Sequence, residues 1–223
     1  MRPEFMGERW PTLGASPAPR KRLAPIPADD ACGPGRRLIA CALVFAPWKA
    51  AYALLSRMPE PPTPATLRFS WEAHLPRPGL AIWIYAAAVA FALCAPLALR
   101  TAADLRRFVI AGWLIAATGL SMFVLLPSKA HFLPIAEAGM AGAVHQAMRT
   151  FDAEWLAFPS FHAAWAMLAA QVYRRRWPGL AALWLICAAA IGASCVLTGS
   201  HAIVDVLAGF AIAWLIWRWA ADN

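Results

Sequence analysis

At 223 residues, with 61% hydrophobic side chains and only 14% charged ones, the chain is too apolar for an ordinary soluble domain and reads as an integral membrane protein. A net charge of +8 does not make it a nucleic-acid binder, because its Lys and Arg fall in short clusters between apolar runs with no recognised nucleic-acid module beside them. The five cysteines, Cys32, Cys41, Cys94, Cys187 and Cys195, show no CxxC pairing and mostly sit within or beside apolar runs, so they count as small hydrophobes rather than a disulfide framework or metal site.

Residues 1–37 are rich in Pro, Gly and Arg, and no apolar run begins before Leu38. This excludes a secretory signal peptide and predicts a disordered cytoplasmic tail, followed by one membrane domain over 38–223. Apolar stretches long enough to cross a bilayer lie at 38–56, 80–99, 108–126, 156–173, 180–197 and 201–219. The predicted fold is therefore all-α, a bundle of six transmembrane helices with both termini on one side. Lys21-Arg22, Arg36-Arg37, Arg100 with Arg106-Arg107, Arg174-Arg175-Arg176 and Arg218 all fall in the tails and even-numbered loops, which the positive-inside rule makes cytoplasmic.

The loops 57–79 and 127–155 and the tight link at Thr198-Gly199-Ser200 then face outward, in a plasma or inner membrane. Trp71, Trp83 and Trp155 fall near that outer boundary and read as interface anchors. The loop of about 30 residues at 127–155 exceeds what a connection needs and suggests a lid or recognition element. Lys49, beside Pro47, is the one cation inside a span; it either pairs with a site carboxylate or snorkels to the outer lip.

Two fragments place ionisable groups at the ends of greasy segments, where an unpaired charge is costly and usually functional. In Phe158-Pro159-Ser160-Phe161-His162, Pro159 suits an opening helical turn and Ser160 can cap it. A helix start offers unpaired N–H groups and a positive dipole end to a phosphate oxygen, and His162 would stand close enough to hand a proton to a leaving oxygen. A capped helix with an interfacial histidine fits the same residues. In His201-Ala202-Ile203-Val204-Asp205, the four-residue spacing on a helix puts His201 and Asp205 on one face, so that the carboxylate can orient the ring. A structural pair linking helices is the alternative. Two histidines without a companion ligand cluster make a poor zinc site, so no metal and no cofactor is expected. A nucleophilic histidine, a proton-donating histidine and an anion-binding helix start together point to phosphoryl transfer through a phosphohistidine.

Pro159-Ser160-Phe161-His162 followed by Thr198-Gly199-Ser200-His201-Ala202-Ile203-Val204-Asp205 resembles the type 2 phosphatidic-acid phosphatase superfamily, over most of residues 38–219. The patterns PSxHxAWA and TGxHxxxDxxxG are most similar to its inositol-phosphorylceramide synthase-like branch. The resemblance implies that His201 attacks phosphorus, Asp205 orients it and His162 protonates the departing alkoxide, without metal and with sensitivity to vanadate.

Two departures stand out. The superfamily's KxxxxxxRP has no match after the third span, which runs into Pro127-Ser128-Lys129-Ala130-His131-Phe132, and the Arg of its SRxxxxxH is Cys195 after Ser194. Another cation must replace that guanidinium, because its charge and bidentate geometry both matter. Lys129 and Arg149 are the outer-loop candidates and, with Ser160 and Phe161 at the helix start, complete the expected phosphate-binding set. His131 and His145 read as solvated loop residues, and Glu137, Asp152 and Glu154 as either head-group contacts or solubilising charges.

The functional expectation is a membrane enzyme with its active site on the extracytoplasmic side. It cleaves a lipid phosphate or lipid diphosphate with water as acceptor, or moves a phospho-head group to an alcohol or lipid acceptor. A transporter or scaffold whose histidines are structural is the reading from another class.

Overall fold

The computed structural model describes residues 31–135 and 137–222. The expected tail falls mostly on residues 1–30, outside the described residues, and the first helix has already begun within 31–37. Eight α-helices form among the described residues: α1 (Pro34–Leu55), α2 (Leu80–Leu93), the single turn α3 (Ala95–Ala98), α4 (Ala102–Leu125), α5 (Gly139–Arg149), α6 (Phe161–Arg176), α7 (Ala181–Leu197) and α8 (Ile203–Asp222). No strand forms among these residues. Isolated bridges alone link Ala65 to Ser128 and Ser128 to Leu156, stitching the segments that precede the site.

Each of the six apolar runs becomes helical, but length and composition sort them. Among the described residues, α1, α4, α7 with its preceding turn, and α8 are long and apolar enough to cross a membrane, while α2, at 14 residues, is a shorter apolar helix. The second run breaks at Cys94 because Pro96 carries no amide hydrogen to continue the ladder, leaving α3 as a separate turn. The third run starts earlier than its hydropathy indicates: the Thr101 side chain accepts the Asp104 N–H at 3.1 Å, and Asp104 places a negative charge at the positive end of the helix.

The core is organised around α6, which packs against α7, α8, α2, α3 and α4. It is buried along most of its length, from Phe161 to Tyr173 with brief interruptions. A helix sheathed by neighbours needs no lipid-facing side chains; it needs small ones that admit close approach, and Ala163, Ala164, Ala166, Ala169 and Ala170 supply them. Close approach is most demanding at Gly209 of α8, where a Cβ would stand 2.4 Å from the Ser160 carbonyl oxygen.

Two predicted starts move. Residues 156–160, expected within the fourth span, are irregular rather than helical: Ala157 and Phe158 donate to the backbone carbonyl and hydroxyl of Ser128, and Ser160 N–H donates to the Asp205 carbonyl at 2.9 Å. The sixth helix begins at Ile203, so His201 precedes it. Of the expected interface tryptophans, Trp71 and Trp83 are exposed, but Trp155 is buried in the main core cluster.

Among the described residues, the basic clusters gather at one end of the bundle. Arg37 donates to the Leu97 carbonyl, Arg107 to the Trp217 carbonyl at 2.7 Å, and Arg175 pairs with Asp104. These contacts join the start of α1 and α4 to the ends of α3, α6 and α8. The starts of α6 and α8, with both motif histidines, lie at the opposite end.

Candidate active site

Three local devices build the site. Ser160 caps α6, its hydroxyl accepting the Ala163 N–H at 3.4 Å, which sets His162 in the first turn. Gly199, at φ +74, ends α7 in a conformation that favours glycine, and the N–H groups of Ser200 and His201 both turn back to the Cys195 carbonyl. The chain thus turns sharply between α7 and α8 rather than continuing as one bent helix. Asp205 then sits in the opening turn of α8, where its Oδ2 accepts the Ala202 N–H at 2.8 Å.

These devices bring the two motifs together. The rings of His162 and His201 lie 5.9 Å apart between centroids, inclined at 61°. His201 Nδ1 is 3.6 Å from Asp205 Oδ2, within ion-pair range but longer than a hydrogen bond. The pairing arises at the helix entrance, rather than one turn apart inside a helix as the spacing predicts. Asp205 is 1% exposed, and its Oδ1, like His201 Nδ1, is buried without a hydrogen-bond partner. Buried polar atoms without partners are expensive, and both of these belong to the His201–Asp205 pair.

His162 has its own partners. The Tyr85 hydroxyl donates to Asp152 Oδ2 at 2.6 Å and lies 3.3 Å from His162 Nδ1, with the Tyr85 and His162 rings 4.3 Å apart. Neither Tyr85 nor this use of Asp152 was visible in the sequence. Tyr85 belongs to a buried cluster with Cys195 and Ala163. Where the superfamily pattern has an arginine, this chain therefore packs a small, fully buried thiol.

A loop from the other side clamps the His201 turn. Arg68 donates from Nε to the Ala130 carbonyl and from Nη2 to the Gly199 carbonyl, each at 3.1 Å. Glu72, 1% exposed, accepts the N–H of Phe69 and of Ile203, each at 3.0 Å. Burial draws the Arg68 pKa below the ordinary guanidinium value, opposed by the charges of Glu72 and Asp205.

The expected phosphate cations have protein partners of their own. Lys129 pairs with Glu60 at 2.9 Å and Glu154 at 3.5 Å; its pKa is raised chiefly by the hydrogen bond to Glu60. Arg149 donates to the Leu133 carbonyl and lies over the Phe132 ring, and burial lowers its pKa against the charges of Glu137 and Glu154. Phe161 is buried among Trp48, Tyr52, Phe123 and Trp165. His145, read as a solvated loop residue, is instead buried against Glu137 at 2.8 Å.

A cavity of about 580 Å³ opens at His162 and His201. Ser200 and Asp152 line its polar part, and Lys49 is the one lysine or arginine on its wall among the described residues. The Lys49 ammonium lies 5.0 Å from the Tyr52 ring centre and 5.5 Å from that of Phe151. The rest of the wall is apolar, with Phe45 and Trp48 from α1 facing Val89 and Leu93 from α2.

A family model described as the PAP2 superfamily matches residues 64–219, from before α2 into α8. No curated protein and no solved structure gives a match.

Proposed function

The chain belongs to the PAP2 superfamily, whose members are generally phosphatases or phosphotransferases, and on that footing we propose that it is a metal-independent lipid phosphatase or phosphotransferase working through a phosphohistidine. The observation that carries this reading is the convergence of His162 and His201 on one largely apolar cavity.

His201 Nδ1 faces Asp205, which leaves Nε2 to attack phosphorus. As the N–P bond forms and the P–O bond to the lipid breaks, His162 gives its Nε2 proton to the departing alkoxide. In the second half, His162 accepts a proton from water or an alcohol as the new O–P bond forms and His201 is released. Lys49 supplies positive charge on the cavity wall, and Phe161 lines the same wall in the opening turn that Ser160 caps. Lys129 and Arg149 would join the phosphate only by leaving their present partners.

The apolar walls from α1 and α2 suit hydrocarbon, so the substrate is read as a lipid phosphate or diphosphate lying in the bilayer. All six apolar runs are taken as spans, α6 crossing inside its sheath of neighbours. The gathering of Arg clusters at the end opposite the site supports cytoplasmic termini and an extracytoplasmic active site. The PSxHxAWA and TGxHxxxDxxxG patterns favour a second acceptor class, an alcohol or lipid, as in the inositol-phosphorylceramide synthase-like branch. Incubating the purified protein with labelled lipid phosphate, with and without alcohols, separates the two. Free phosphate alone identifies a hydrolase and a new phosphodiester a transferase; no turnover of either kind refutes both.

A further inference from the structure

We propose that Tyr85 and Asp152 are positioning residues for His162, a relay that fixes which of its nitrogens meets the substrate; this rests on the reading of His162 as the proton donor. A phenol has one proton and a carboxylate only accepts, so the 2.6 Å contact to Asp152 commits the Tyr85 proton to that carboxylate. The Tyr85 oxygen, 3.3 Å from His162 Nδ1, is then left to accept, and Nδ1 must carry a hydrogen. Nε2 becomes the working nitrogen, protonated when His162 serves as acid and bare when it serves as base. The Nδ1 hydrogen stays in place through both half-reactions, and no proton needs to cross Tyr85.

Packing makes this assignment rigid. Tyr85 is fully buried on α2 and lies against the imidazole at 4.3 Å with a 30° tilt, which fixes the ring plane as well as the tautomer. Asp152 is held from both sides along the backbone: its own N–H donates to the Arg149 carbonyl, and the next N–H, of Ala153, donates to the Tyr52 hydroxyl at 3.3 Å. The site therefore has two histidine–carboxylate couples of different kinds. Asp205 approaches His201 directly, which suits a nucleophile that must keep one nitrogen bare and aimed. Asp152 acts on His162 through an inserted phenol, which orients the ring and offsets the imidazolium charge without offering a carboxylate that competes for the transferable proton.

The test compares two probes on the purified full chain: dioctanoyl phosphatidic acid, whose alkoxide leaving group needs a proton, and p-nitrophenyl phosphate, whose phenolate hardly does. Tyr85→Phe and Asp152→Asn should each slow phosphate release from the phosphatidic acid by about 10- to 100-fold, the usual effect of losing a partner that orients a site ligand. The pre-steady-state burst of p-nitrophenolate, which reports only formation of the phosphohistidine, and inhibition by orthovanadate should change less than about 3-fold, within the scatter of distant substitutions. Tyr85→Phe added to His162→Ala should slow the enzyme no further. Equal losses on both probes, or a further loss on the His162→Ala background, would overturn the relay. Asp152, at the cavity rim, gives the same readout if the buried Tyr85 variant fails to fold. Failure of the parent reading looks different: wild type releasing phosphate from neither probe, or His201→Ala retaining activity.

Discussion

The imidazoles of His162 and His201 stand 5.9 Å apart between centroids, too far to hydrogen-bond to one another and close enough for one phosphoryl group to sit between them. That separation is set by backbone. Ser160 N–H donates to the Asp205 carbonyl, tying the entrance of α6 to the entrance of α8, and Gly209 lets the two helices close below the tie.

Gly209→Ala should therefore weaken both stability and activity. Its Cβ would press on a backbone carbonyl and on Ala163, neither of which can swing aside, at a cost of about 1–3 kcal/mol. Gly179→Ala, with open space around it, serves as the control and should not lower the thermal midpoint.

Asp205→Asn preserves an oxygen that can accept the Ala202 N–H, so the helix entrance should survive. The carboxylate beside His201 does not survive. Turnover should fall by orders of magnitude, up to about 10⁴ by analogy with triad carboxylates, while the melting profile shifts little. Near-normal turnover would remove Asp205 from the mechanism.

Lys49→Met should raise KM and weaken orthovanadate inhibition by about 10-fold or more, because a hydrogen bond to a charged group contributes about 1.5–3 kcal/mol. Lys49→Arg should restore most of the affinity. If Lys49 only snorkels, methionine will leave vanadate inhibition untouched.

Glu72→Gln keeps one accepting oxygen for the two N–H groups of Phe69 and Ile203 that Glu72 now serves. Leaving one of them without a partner should cost about 1–3 kcal/mol of stability, read by thermal denaturation. Activity should fall with it, since Ile203 opens the helix that carries Asp205.

Much of this site was legible in the sequence because each motif is local: Ser160 caps the turn that carries His162, and Gly199 reverses the chain before His201. The apolar runs likewise marked the helices, although the start of α4 at Thr101 and Asp104, ahead of the apolar run, was missed. What the sequence hid depends on contact between distant segments. Tyr85 and Asp152 are 67 residues apart in the chain, and Lys49 reaches the cavity from a helix outside the matched family region. Residues 156–160 looked helical because they are apolar, and only the Ser128 contacts reveal why they are not. Lys129 looked available because its partners Glu60 and Glu154 lie far from it in the chain.

The proposed mechanism requires a covalent bond between His201 and phosphorus. Rapid acid-free quenching of the purified protein with ³²P-labelled phosphatidic acid, followed by proteolysis, tests it directly. An acid-labile, alkali-stable label is expected on the peptide containing His201 and absent from His201→Ala. Label on another residue, or label undiminished in His201→Ala, would contradict it.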